Sequence, residues 1–165
     1  MNAAFDVDHA AILHKALVAV VPELHRHCRD SWVLIGSAAA RLAGAEVVVA
    51  DLDVLTTRRD AEALIGQWQG QLDKAHVPAG AERFRSHFAR FMFTDLPLEI
   101  MGGLELFGAH GWEPVQVGKT MTVEVAGLHV PIPVVAEQIR VLESFGRPKD
   151  LQRAALQKSL SGERL

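Results

Sequence analysis

Asp51 and Asp53 stand two positions apart in VVVADLDVLTT (47–57), a run whose composition otherwise reads as a buried strand. Successive strand side chains point to opposite faces, so the two carboxylates share one face about 6.6 Å apart while Leu52 and Val54 point into the core. Like charges so placed repel unless a cation lies between them. Oxygen donors of this kind suit Mg²⁺, which takes few protein ligands and leaves room for substrate phosphates. Taken alone, an Asp pair is equally at home on a solvated strand face.

Upstream, Ile35, Gly36 and Ser37 close the apolar run WVLIG (32–36) and open an alanine-rich segment, Ser37–Leu42. The pattern is a strand running into a short helix. Glycine lets a phosphate approach the backbone closely, and a helix start offers free N–H groups. A plain strand-to-helix turn would look the same, so the two motifs gain their meaning from their spacing: LIGS, thirteen residues, then DLDV.

That arrangement resembles the signature of the nucleotidyltransferase superfamily related to DNA polymerase beta, in which an apolar residue, Gly and Gly or Ser precede Asp, apolar, Asp or Glu, apolar. Ile35, Gly36, Ser37, Asp51, Leu52, Asp53 and Val54 each fit. The resemblance implies a third carboxylate on a later strand, and Glu99 in PLEIM is the best match. It implies that Asp51, Asp53 and Glu99 hold Mg²⁺ or Mn²⁺, that Gly36 and Ser37 hold the phosphates of a nucleoside triphosphate, and that Glu99 takes the acceptor's proton. The tail GRPKDLQRAAL (146–156) is similar to a segment of small bacterial nucleotidyltransferases of the abortive-infection toxin type; Arg147, Lys149 and Asp150 fit, while Arg153 stands where those proteins often carry a second Asp. Lys149 is thereby a candidate triphosphate contact, with a solvated cap lysine as the plain alternative.

Other constellations carry less. Arg85 and Arg90 in RFRSHFARF could reach phosphate, though a surface strand with alternating charges explains them too. His25, His27 and Cys28 lack the spacing and the second ligand pair of a zinc site. No Gly-x-Ser-x-Gly elbow marks a serine hydrolase.

The elements that must position these residues follow from periodicity. Leu13, Leu17, Val20, Val21 and Leu24 form a helical stripe over 9–21, capped by Asp8 and kinked or restarted at Pro22. A second amphipathic helix carries Ala61, Leu64, Ile65, Trp68 and Leu72. Strands are expected at 84–94 and 96–101, the latter ended by Gly102 and Gly103; residues 104–118, with four Gly or Pro, read as loop. MTVEV (121–125) and LHVPI (128–132) around Ala126–Gly127 form a hairpin whose second arm is made an edge by Pro131. Helices follow over 134–145 and from about Asp150. The expected fold is α/β (α+β): one nucleotidyltransferase-like domain over 1–165, a mixed sheet with helices packed on it, and a helical C-terminal extension over 134–165.

Composition bounds the rest. The 165 residues are 49% hydrophobic and 22% charged, enough to bury a core and contrary to disorder. A net charge of −3 removes the basic footprint of a general nucleic-acid binder and argues against stable nucleic-acid binding, although residues 139–165 carry an excess of three positive charges. One cysteine cannot form an internal disulfide, and neither a signal peptide nor a membrane span is read, which together point to the cytoplasm. The function implied is metal-dependent transfer of a nucleoside monophosphate to a hydroxyl of a small molecule, RNA or protein, with release of pyrophosphate. Two readings stand beside it: a nucleotide- or partner-binding module of the same fold without turnover, and the toxin component of a toxin–antitoxin module. Partners to expect are a nucleoside triphosphate, an acceptor, and either an antitoxin or a second copy of the chain.

Overall fold

The computed structural model describes residues 3–163, with side chains from 8 to 161. Helix α1 (Ala3–His27) is followed by β1 (Val33–Ile35), α2 (Gly36–Leu42), β2 (Leu52–Thr56) and α3 (Arg58–Gln67). Then come β3 (Phe84–Phe91), β4 (Leu98–Gly108), β5 (Gly111–Pro114), the hairpin β6 (Thr120–Val125) and β7 (Leu128–Pro133), α4 (Val135–Phe145) and α5 (Pro148–Glu163).

The main sheet has the order β1-β2-β4-β3, with β2 and β4 parallel and the other pairs antiparallel; β5 joins β4. β4 serves two partners along one edge, β2 from Leu98 to Gly102 and β5 from Glu105 to Gly108. Alternation sorts the side chains. Leu52, Val54, Leu98, Ile100, Ala89 and Phe91 face a core shared with α1 and α3. Val33, Ile35, Leu55 and Leu104 face the other way and meet Val141 and Phe145 of α4. The sheet is therefore mixed, with helices on both faces, and the face bearing α4 is only partly covered.

Several expectations are corrected. α1 begins before Asp8 and runs through Pro22. The hydrogen bond lost at Pro22 frees the carbonyl of Val18, on the exposed side, while Leu17, Val20, Val21 and Leu24 remain buried, so packing outweighs the break. The strand expected from 47 begins at Leu52, because its neighbour begins at Leu98: Leu52 N–H bonds the Pro97 carbonyl, and Pro97 has no N–H to extend the ladder. The helix expected to reach Leu72 ends at Gln67 and passes into a single 3₁₀ turn, Gln69–Gln71. The last helix starts at Pro148, where a missing N–H costs nothing.

The largest correction concerns β4, which continues through Gly102 and Gly103 to Gly108, with β5 inside the segment read as loop. Gly102 is a place of close approach: a Cβ there would lie 2.5 Å from Ala61 Cβ and 3.0 Å from the Thr57 carbonyl. The start of α3 thus rests directly on the strand. Gly103 has φ +61, a bulge that changes which face the following residues present. The hairpin appears as expected, with Ala126 and Gly127 both at positive φ, and Val130 and Ile132 buried while Pro131 faces away. No helix among the described residues is long and apolar enough to cross a membrane.

Candidate active site

The carboxylates are brought together by register. β2 and β4 are parallel neighbours with Asp53 opposite Glu99, so the two side chains leave the same face of adjacent strands about 4.8 Å apart. Asp51 stands just before β2 and reaches the same place. One carboxylate oxygen each from Asp51, Asp53 and Glu99 lies within 4.8 Å of the others. Among the described residues this is the only such cluster of three His, Cys, Asp or Glu side chains.

The arrangement is electrostatically costly by itself. Burial, then the charges of Asp51 and Glu99, push the Asp53 carboxyl well above the ordinary aspartate range, with Arg153 pulling the other way. Glu99 is raised by burial and by Asp51, and lowered by His76, Arg90 and Lys149. Three hard oxygen donors crowded so that one resists ionisation form a donor set that fits a divalent cation such as Mg²⁺ or Mn²⁺.

Gly36 lies against this cluster. Its φ is +70, and a Cβ built on it would sit 2.6 Å from Asp53 Oδ2, so only glycine fits both the backbone and the space. Ser37 follows at the start of α2 and is buried. Gly36, Ser37, the three carboxylates and residues of α4 and α5 line one cleft of about 690 Å³.

α5 brings cations to that cleft. Asp150, buried, accepts from Arg147 Nε at 2.5 Å and from a second guanidinium nitrogen at 3.1 Å. The guanidinium carbon lies 5.0 Å from the Phe84 ring centre. The two motif residues thus anchor the start of the helix. Lys149 and Arg153, one turn apart, share a face and line the cleft; among the described residues neither side chain has a hydrogen bond or ion pair. Buried Gln157 donates to Gln138 Oε1 at 2.7 Å, and Gln138 Nε2 donates to the Pro133 carbonyl at 2.9 Å, tying α5 to α4 and to β7.

All six residues singled out from the sequence, Gly36, Ser37, Asp51, Asp53, Glu99 and Lys149, line this cleft. Arg85 and Arg90 also line this cleft, but both are engaged: Arg85 bonds Glu105 at 2.8 Å and stacks on Trp112, and Arg90 is drawn to Glu99 and His76. His25 bonds the His129 carbonyl, His27 pairs with Glu23, and burial with the Asp60 charge pushes the Cys28 thiol up to about 12, so these three form no metal site. Two cleft residues were missed. Arg153 carried a usable signal, its four-residue spacing from Lys149; His76, in a loop, carried none.

No protein-family model matches this chain, and no curated protein matches it. Solved structures do. A candidate nucleotidyltransferase from Thermotoga maritima, TM1012, superposes with a TM-score of 0.64 at 23% identity, over 98% of this chain and 96% of that one. The lincosamide antibiotic adenylyltransferase LnuA in its lincomycin-bound form gives 0.56 at 12% identity, covering 88% and 96%. An antigenic nucleotidyltransferase-like protein from Paracoccidioides brasiliensis gives 0.54 at 12%, covering 92% and 78%. Superpositions of this extent lead to one conclusion: this chain has the nucleotidyltransferase fold.

Proposed function

We propose that the protein is a metal-dependent nucleotidyltransferase that moves a nucleoside monophosphate from a nucleoside triphosphate to an acceptor hydroxyl. The observation that carries this reading is the meeting of Asp51, Asp53 and Glu99 beside a glycine that no other residue can replace. Three mutually repelling carboxylates are costly without a cation between them, which supports a metal-dependent site.

Asp51, Asp53 and Glu99 would hold Mg²⁺ or Mn²⁺, which supplies Lewis-acid polarisation of phosphate oxygens and offsets the charge of the triphosphate. Gly36 leaves the backbone bare where the phosphates approach, and Ser37 offers its N–H and hydroxyl. Lys149 and Arg153, which make no hydrogen bond or close ion pair among the described residues, face the same cleft and would hold the β- and γ-phosphates. The acceptor oxygen attacks the α-phosphorus in line; the bond to the β-phosphate oxygen breaks, pyrophosphate leaves, and Glu99 takes the hydroxyl proton. The acceptor is read as a small molecule. Two neighbours support that class, LnuA with lincomycin and the antibiotic-resistance factor ANT(2'')-Ia, the latter at TM-score 0.50.

Incubating the protein with Mg²⁺ and each nucleoside triphosphate, alone and with hydroxylated small molecules, and measuring pyrophosphate tests the proposal. Release must depend on metal and vanish in Asp51→Asn/Asp53→Asn. Melting temperature should rise with Mn²⁺ in the parent and not in that variant, since a ligand of the folded state stabilises by mass action. A parent and double variant that respond alike to metal would refute the site.

A further inference from the structure

Beside the three carboxylates runs a chain of polar contacts from the edge of the sheet. The backbone at 71–73 lies along the end of β3: Met92 N–H donates to the Gln71 carbonyl and Asp73 N–H to the Arg90 carbonyl, each at 2.8 Å. A bridge between Leu72 and Phe91 completes this pairing. The loop that follows is thereby pinned over Arg90. Asp73 Oδ2 lies 3.6 Å from Arg90 Nε, an atom that is buried and makes no hydrogen bond. Arg90 Nη1 lies 3.1 Å from His76 Nδ1 and 3.7 Å from Glu99 Oε1, and His76 Nε2 is 3.8 Å from the same carboxylate oxygen. The His76 ring lies over Phe88, with centroids 5.7 Å apart and planes 33° off parallel. Phe88 and Arg90 alternate on one face of β3, and Arg90 is the register partner of Glu99.

The chemistry of these groups fixes a direction. Arginine has donors only, so where Arg90 meets His76, Nδ1 must accept. The ring then carries its proton on Nε2, the nitrogen nearer Glu99. Packing on Phe88 holds the ring plane, Arg90 sets the tautomer, and both place an N–H-bearing nitrogen 3.7–3.8 Å from one oxygen of the carboxylate, an electrostatic contact rather than a hydrogen bond. A carboxylate on a flexible side chain otherwise has several rotamers, and fixing one before a cation arrives lowers the cost of coordination.

We propose that Asp73, Arg90 and His76 form an outer shell that orients Glu99 toward Asp51 and Asp53, with His76 the positioning residue nearest the carboxylate and Arg90 the residue that sets its tautomer. The proposal rests on the metal-centre reading of the three carboxylates. A purely structural alternative exists: the same contacts would merely fasten the 73–81 loop to β3.

Mn²⁺ binding to the full-length chain without nucleotide, followed by electron paramagnetic resonance of the free ion, separates the two. Loss of an outer-shell partner weakens metal binding by about 10–100-fold, and His76→Phe, which keeps a ring over Phe88 but loses both nitrogens, should fall in that range. His76→Gln keeps an acceptor for Arg90 and a donor for Glu99 and should return affinity to within about 3-fold of the parent. Arg90→Lys, which keeps the charge but removes the fork, should weaken binding by about 10-fold and gives an independent arm if His76→Phe folds poorly. In a Glu99→Gln background, His76→Phe should cost less than about 2-fold, because its effect passes through Glu99. An equal loss in both backgrounds, or no loss in either, overturns the proposal. A parent that binds no Mn²⁺ overturns instead the metal centre on which it rests.

Discussion

Replacing Gly36 by alanine separates two costs that the structure locates at one residue. The first is conformational: φ of +70 lies in the left-handed region, where a Cβ costs about 1–2 kcal/mol. For a chain of 165 residues, unfolding entropy of about 2.1 cal/mol/K per residue turns that into a fall in Tm of about 3–6 °C. The second is local: the new Cβ would lie 2.6 Å from Asp53 Oδ2, so the carboxylate must swing away from its neighbours. Gly103 supplies the control. Its φ is +61, but the nearest atom to an added Cβ is 3.9 Å away, on Arg58. Gly103→Ala should therefore lose a similar few degrees and leave metal affinity within about 2-fold, whereas Gly36→Ala should weaken Mn²⁺ by at least about 10-fold, because moving a ligand should cost no less than losing a residue that only orients one. Differential scanning calorimetry and Mn²⁺ titration of both variants decide it. If the two bind Mn²⁺ equally well, the close approach of Gly36 to Asp53 does not shape the site.

Three further outcomes are expected. Lys149→Ala and Arg153→Ala should each raise the KM for triphosphate by about 10-fold while changing Tm only by a few degrees at most, because each acts on the carboxylates at a distance and makes no hydrogen bond or close ion pair among the described residues; steady-state kinetics with pyrophosphate detection measures this. Hydrogen bonds from Arg140, then from Gly118 N–H, hold the Glu137 carboxyl down at about 2, below its ordinary 4.5. A depressed carboxyl contributes stability above its unfolded pKa and loses it as pH falls, so the Tm advantage of the parent over Glu137→Gln should be present at neutral pH and fade between about 4.5 and 2; thermal melts across that range would sink the reasoning if the gap stayed constant. With its pKa pushed up to about 12, Cys28 should react with a thiol reagent at pH 8 many times more slowly in the native protein than in denaturant, and equal rates would contradict its described burial.

The parts of the site on β2 were legible because their signals are local. Leu52 and Val54 alternate with Asp51 and Asp53, and strand periodicity alone puts both carboxylates on one face. Glu99 needed the family resemblance, since parallel pairing with β2 is a non-local fact that no short pattern encodes. Gly102 and Gly103 were misread for a physical reason: glycine in a strand can mark an end, a close approach or a bulge, and here the first glycine admits Ala61 and the second turns the chain. His76 was invisible because its place follows from the edge pairing of 71–73 with β3, far from any motif. Arg153 has a local signal, its four-residue spacing from Lys149, which puts two cations on one face of the last helix.

The parallel pairing of β2 with β4 also has a kinetic meaning. All of α3 and β3 lies between Asp53 and Glu99 in the chain, so this ladder closes only after a long segment has been organised, and such non-local pairing is slow. Asp51 and Asp53 are neighbours in the chain, but Glu99 joins them only when this ladder closes. A divalent cation bound by all three then has little to hold in the folding transition state and much to hold in the native state. Its stabilisation belongs to the unfolding limb: metal should slow unfolding roughly in proportion to its effect on stability and leave the refolding rate nearly unchanged. On the proposed metal-centre reading, the chain would fold without waiting for a cation and be hard to unfold once one is bound.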